Sequence, residues 1–127
     1  MAEAVLDASA LLALLNGEPG ARVVAEVLPR AAISTVNLSE VVAKLADAGM
    51  PEEAIRDALQ GLLLEVVSFD QHQAYEAGLL HPSTKALGVS LGDRACLSLA
   101  RRLDLPALTA DRAWEGLDVG AKVRVIR

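Results

Sequence analysis

Short apolar runs with strand character alternate along this chain with longer stretches whose apolar residues recur at helical spacing. That alternation limits the fold more than any other feature. Strands and helices in strict succession bury both kinds of apolar face only when helices pack on a mostly parallel sheet. Ala4, Val5 and Leu6 read as a first strand, followed by a helix through Leu15 with Ser9 as its cap and Leu11, Leu14 and Leu15 on one face. Residues 16–20 break the chain, and a second helix runs to about Leu28, where Pro29 ends it. Residues 31–35 read as the second strand. Leu38, Val41, Val42 and Leu45 then share a helix face that Gly49 closes, and Pro51 opens a further helix carrying Ile55, Leu59 and Leu62.

Residues 63–69 read as a third strand and are followed by a helix around Ala74, Ala77 and Gly78, with residues 81–91 left as a loop. Gly92 and Asp93 start the most periodic helix, on which Cys96, Leu99, Ala100 and Leu103 share a face. Residues 106–109 read as strand four and 111–114 as a helical turn. Residues 122–126 alternate valine with basic residues, as an edge strand does. The expected architecture is a three-layer α/β/α sandwich, one domain over residues 1–127, with a mostly parallel five-stranded sheet.

Composition narrows the function. The chain is 53% hydrophobic but only 2% aromatic, so its core is aliphatic and it lacks stacking platforms for single-stranded nucleic acid. A net charge of −5 excludes a general basic surface for nucleic acid, while leaving room for a few local arginines. The single Cys96, in a helical stretch, reads as a small buried hydrophobe. Apolar runs fall short of a membrane span and no signal peptide precedes the first strand, so a soluble cytoplasmic protein is expected.

Four acids stand at or near helix starts: Asp7, Glu40, Asp93 and Asp111. In a parallel sheet such positions converge at the carboxyl edge of the strands. Each also has a plain structural explanation. Aspartate caps helices, acids in a first turn favour the helix dipole, and Asn37 with Glu40 fits a variant capping box that puts Glu40 in the third helical position. Converging carboxylates, by contrast, repel by about 4 kcal/mol per pair at ~4 Å and an effective dielectric of ~20, and a divalent cation offsets that charge. Oxygen-only ligands favour Mg²⁺ or Mn²⁺ over Zn²⁺.

The surroundings of the acids are Asp7-Ala8-Ser9-Ala10, Ser39-Glu40, Gly92-Asp93-Arg94 and Thr109-Ala110-Asp111. In this order and at this length the chain resembles the PIN domain and, within it, the VapC-type toxins of toxin–antitoxin pairs. The resemblance implies strand order 3-2-1-4-5. It maps the family's four catalytic, metal-binding acids onto Asp7, Glu40, Asp93 and Asp111, and its helper hydroxyls onto Ser9 and Thr109. It also implies a Mg²⁺- or Mn²⁺-dependent endoribonuclease, usually a homodimer, inhibited by a cognate antitoxin and meeting DNA only through that complex.

On this reading Asp7 and Asp93 hold the principal ion, Glu40 and Asp111 complete the site, and Ser9 or Thr109 orients water or a scissile oxygen. Arg94 and Arg112 each follow a proposed ligand, and are expected to pair with a site carboxylate or to contact substrate phosphate. Lys44 and Lys85 are further candidates for RNA contact. Trp114 reads as core, and His72 and His81 as surface or capping residues. The helical hairpin around Pro51 has more apolar positions than one sheet face needs, which points to a dimer or antitoxin surface. A DNA nuclease of the same fold and a silent PIN-like module are the near alternatives. A receiver-like domain would need a phosphoryl-accepting Asp70, and an Asp-x-Asp phosphatase is opposed by Ser9 in place of the second acid.

Overall fold

A computed structural model describes residues 1–127. Its sheet is five-stranded and wholly parallel, in the order β3-β2-β1-β4-β5. The strands are β1 (Ala4–Leu6), β2 (Ala31–Ser34), β3 (Glu65–Val67), β4 (Ala107–Thr109) and β5 (Val123–Val125). The expected order and layering hold. Register is set by side-chain alternation: Val5 lies opposite Ala32 on β2 and Ala107 on β4, and Leu6 lies opposite Ile33 and Leu108.

Helices α1 (Ala8–Asn16), α2 (Ala21–Val27), α3 (Thr35–Asp47) and α4 (Glu52–Gln60) form one outer layer. Their core joins Ala4, Leu6, Ala31, Ile33 and Leu108 of the sheet to Leu11, Val24, Val41, Leu45 and Ile55. The opposite layer holds α5 (Gln71–Leu79), the short α6 (His81–Thr84) and α7 (Leu91–Leu103). There Val5, Ala32 and Ala107 meet Cys96, Leu97, Leu99, Ala100 and Trp114. Period two in the strands thus feeds both cores, each large aliphatic residue adding about 1.5–3 kcal/mol. Trp114 is 2% exposed and Cys96 fully buried, so both are core residues as expected.

Several boundaries depart from the sequence reading. Strand three is shorter than residues 63–69, because Leu63 adopts a left-handed backbone (φ 56°) and stands 81% exposed. The stretch 81–91 is not a plain loop: α6 and a 3₁₀ turn at Lys85–Leu87 occupy most of it. Helix α7 begins at Leu91, with Ser90 as its cap, one residue earlier than a Gly92-Asp93 start. Ser9 does not cap α1; Asp7 does, accepting from the Ala10 amide. Glu40 is not in a capping box either. Ser34 caps α3 through the Val36 amide, which puts Glu40 in the second turn.

The strand order reverses direction between β1 and β4. Connections from β1 run over the α1–α4 face, and those reaching β4 come from the α5–α7 face. A crevice opens at the carboxyl ends of strands at such a switch point.

Candidate active site

Asp7 leaves the carboxyl end of the central strand, its own amide bonded to the Leu108 carbonyl of β4 at 3.1 Å. Capping fixes its side chain: Oδ1 accepts from the Ala10 amide at 2.8 Å. Two hydroxyls do the rest. Thr109 Oγ1 donates to Asp7 Oδ2 at 2.6 Å, and Ser9 Oγ lies 2.8 and 2.9 Å from the two carboxylate oxygens. Both hydroxyls accept backbone N–H groups from the segment after β4, Ala110 to Ser9 at 2.9 Å and Asp111 to Thr109 at 3.0 Å. A hydroxyl has one proton. Each oxygen accepts one of these amides and turns its proton toward Asp7. The loop after β4 therefore orients both helpers.

Asp7 is only 5% exposed, and its carboxyl is raised from 3.8 to about 6. Burial is the main cause, opposed by the bonds from Thr109, Ala10 and Ser9, with the charge of Asp93 adding to the rise. The Cys96 thiol, buried in α7, is pushed well above its usual value by burial and then by the charges of Asp7, Asp93 and Glu40. Three of the four predicted acids thus act on one region.

Asp93 lies in the first turn of α7. Its Oδ2 accepts from the Ser90 amide at 3.0 Å while Ser90 Oγ accepts from the Asp93 amide at 3.2 Å, a complete capping box. Capping engages one carboxylate oxygen and leaves the other free. Glu40 reaches the same place from α3: its carboxylate lies against Gly92, and its Oε1 accepts from Asn37 Nδ2 at 3.0 Å. Asp111 is different. Its exposed carboxylate accepts from the Ala113 amide at 2.9 Å, and it joins the network through its backbone N–H to Thr109.

Both arginines depart from the expected pairing with site carboxylates. Arg94 Nη1 donates to the Ala77 carbonyl of α5 at 3.2 Å, and Arg112 Nε to the Arg127 carbonyl at 3.0 Å. Neither forms an ion pair. His72 pairs with Glu76 at 2.7 Å, and His81 starts α6. Asp70 caps α5 through the Gln73 amide at 2.9 Å, after the edge strand β3 and away from the central switch point. Lys44 lines a cleft of about 340 Å³ that begins at Ser9, between α1 and α3, with Asn16 and Arg127 also in its wall. Lys85 is exposed in its 3₁₀ turn.

The donor set is all oxygen, which suits a hard divalent cation. No three carboxylates close into a ready-made cage. An ion such as Mg²⁺ fits that openness, because it takes one or two carboxylates and keeps several waters. The raised Asp7 carboxyl has the same sense: burial leaves its negative form short of stabilisation beyond its own hydrogen bonds, which a bound cation would supply. Sequence reasoning read Asn37 as part of a capping box and Gly92 as part of a helix start, and missed that together they hold Glu40. The only available signal was the three-residue spacing of Asn37 and Glu40, which puts both on one helix face.

The family model of the PIN domain matches residues 4–119. A search of curated proteins finds no match. Among solved structures, a toxin–antitoxin complex from Klebsiella pneumoniae matches at 23% identity and a TM-score of 0.78, covering 98% of each chain. The DNA-bound VapBC of Salmonella typhimurium matches at 21% identity and a TM-score of 0.76 over 100% of both chains. VapBC-5 of Mycobacterium tuberculosis, a member of the VapBC family of toxin-antitoxin systems, matches at 25% identity and a TM-score of 0.61, over 100% of this chain and 99% of that one.

Proposed function

The chain belongs to the PIN domain family, a family of nucleases, and from that premise we propose that it is a Mg²⁺- or Mn²⁺-dependent endoribonuclease, the toxin of a toxin–antitoxin pair. One observation carries the reading: a buried aspartate at the switch point, gripped by two oriented hydroxyls and raised to about 6 within reach of a second acid's charge. Such an arrangement is costly to a fold that does not use it.

Asp7 and Asp93 are the principal ion ligands, with Glu40 completing the site. A divalent ion, when bound, neutralises charge on the phosphate and makes a water more acidic. Ser9 and Thr109 lock the Asp7 carboxylate in one orientation. Asp111, exposed at the rim, orients water or substrate. Arg112, also exposed, keeps guanidinium donors free of its single carbonyl bond for a substrate phosphate. Arg94, tied to α5 by a single Nη1 bond to the Ala77 carbonyl, is the second candidate for that phosphate. The cleft leading from Ser9 to Lys44 and Arg127 gives an RNA strand a route past the acids.

The proposed antitoxin has a surface to bind. Leu38, Val42, Ala46, Met50, Ile55 and Leu59 line a groove of about 510 Å³ between α3 and α4. Of the solved relatives, that of Klebsiella pneumoniae is described as a toxin–antitoxin complex, that of Mycobacterium tuberculosis as a member of the VapBC family of toxin-antitoxin systems, and that of Salmonella typhimurium as a DNA-bound VapBC. By analogy this chain meets DNA through its antitoxin, and it works as a homodimer. A basic antitoxin side chain entering the acid cluster would compete with the ion.

The test is cleavage of RNA and DNA of one sequence with Mg²⁺, Mn²⁺ or EDTA, for wild type, Asp7→Asn and Asp93→Asn. The reading expects RNA to be cut only with the ion, leaving 5′-phosphate and 3′-hydroxyl ends, and both variants to be inactive. Cyclic-phosphate ends or full activity in EDTA would refute it. Cleavage of DNA alone would leave the site intact and overturn the substrate.

A further inference from the structure

The side chain that holds Glu40 has no place in the reaction described above. Asn37 is 1% exposed. Its Nδ2 makes two donations, to Glu40 Oε1 at 3.0 Å and to the Gly92 carbonyl at 2.9 Å. Both partners are acceptors, so the amide has one orientation; turned over, it would set an oxygen against two oxygens. The other end of the amide is the unexpected part. Asn37 Oδ1 is buried and has no hydrogen-bond partner. Buried polar atoms are almost always paired, and an orphan calls for an explanation. Folding stability does not supply one, since an aliphatic side chain of the same shape would leave no orphan oxygen there.

Gly92 supplies the second half. A Cβ at this position would overlap both oxygens and the carboxyl carbon of Glu40. The backbone here is ordinary helix with no positive φ, so conformational freedom does not demand glycine. Glycine also weakens a helix relative to alanine. The missing side chain makes the space in which the Glu40 carboxylate rests, one residue from Asp93.

We propose that Asn37 and Gly92 form a clamp that fastens α3 to the first turn of α7 and thereby sets the Glu40 carboxylate beside Asp93 before any ion arrives. Asn37 is a positioning residue: it acts through Glu40 and touches neither ion nor substrate. The inference rests on the metal-dependent nuclease reading. It adds a requirement that reading does not contain, namely that ion affinity depends on an uncharged buried amide and on the absence of one methyl group. Residues that orient metal ligands typically change affinity by 10- to 100-fold when removed.

The experiment is a calorimetric titration of Mn²⁺ into the full chain, for wild type, Asn37→Leu, Gly92→Ala, Glu40→Gln and both pairwise combinations with Glu40→Gln. Thermal unfolding without metal is followed in parallel. Asn37→Leu keeps the shape and removes both donors. Gly92→Ala favours the helix yet displaces Glu40. The clamp predicts that each single variant weakens Mn²⁺ binding about tenfold or more. It further predicts that neither weakens it again once Glu40 is glutamine. In RNA cleavage, kcat should fall while KM for RNA stays constant.

Additive losses in the combinations, or wild-type affinity in Gly92→Ala, would overturn the clamp while the nuclease reading stands. Absence of Mn²⁺ binding by the wild type would overturn the nuclease reading and take the clamp with it. If Asn37→Leu fails to fold, Gly92→Ala alone carries the decision.

Discussion

Replacing Asp7 by asparagine should change how stability depends on pH in the metal-free protein. The folded carboxyl sits at about 6 against 3.8 in the unfolded chain. A raised folded value means that the native state holds its proton more tightly. The stability Asp7 contributes is therefore full below about pH 4 and is lost as pH rises through about 6. At about 1.4 kcal/mol per tenfold change in proton affinity, the difference between those values is worth about 3 kcal/mol. The side chain is only 5% exposed, so solvent screening removes little of it. Asparagine does not titrate. Urea unfolding in EDTA, repeated from pH 4 to pH 8, gives the free-energy gap between Asp7→Asn and wild type. Acids that do not interact with Asp7 are common to both proteins and cancel. The gap should shift by about 2.4 kcal/mol in favour of the variant between pH 4 and pH 7, most of the full difference, with its steepest change between the two values. Saturating Mn²⁺ should stabilise the wild type at pH 7 and leave the variant nearly unmoved. A gap that stays flat with pH would mean that Asp7 titrates as a surface carboxylate, and the argument from burial would fail.

Further outcomes follow from single contacts. Thr109→Val removes the donor to Asp7 and strands the Asp111 amide, so it should cost about 1–3 kcal/mol in urea unfolding. The same change should raise the Asp7 carboxyl further, as read by NMR titration, because the Thr109 bond now lowers it. Ser90→Ala removes the cap of α7 and should cost about 1 kcal/mol, seen as a lower urea midpoint with an unchanged slope. Trp114→Ala should cost about 3–5 kcal/mol in the same assay, since the side chain is 2% exposed within the core cluster that also holds Val5, Cys96 and Ala107.

The sheet was legible because its signals are local and repeated. Each buried strand is a short apolar run, and alternation assigns its residues to two faces. Strand three misled because residues 62–64 are all leucine. Leu62 and Leu64 pack on the first core, while Leu63 turns outward at a positive φ and delays the strand to Glu65. The start of α7 was readable and was set too late: Ser90-x-x-Asp93 is itself the capping-box pattern, and the exposed Leu91 hid it. Choosing Ser9 over Asp7 as the cap of α1 followed residue preference. In the fold the Ser9 hydroxyl is drawn to Asp7 and to the Ala110 amide, a hundred residues away, which no local rule contains. Asp7, Ser9 and Thr109 meet as expected. Glu40 reaches Gly92, the residue before Asp93, for a reason that a linear reading lacks: the space left by Gly92 and the bond from the Asn37 amide exist only after α3 and α7 have packed.

The most direct measurement is an anomalous-scattering map from crystals of the full chain grown with Mn²⁺. The account predicts one strong peak within ligand distance of both Asp7 and Asp93, with Glu40 at its edge, absent in crystals of Asp93→Asn. A peak elsewhere on the surface, or none at saturating Mn²⁺, would contradict it.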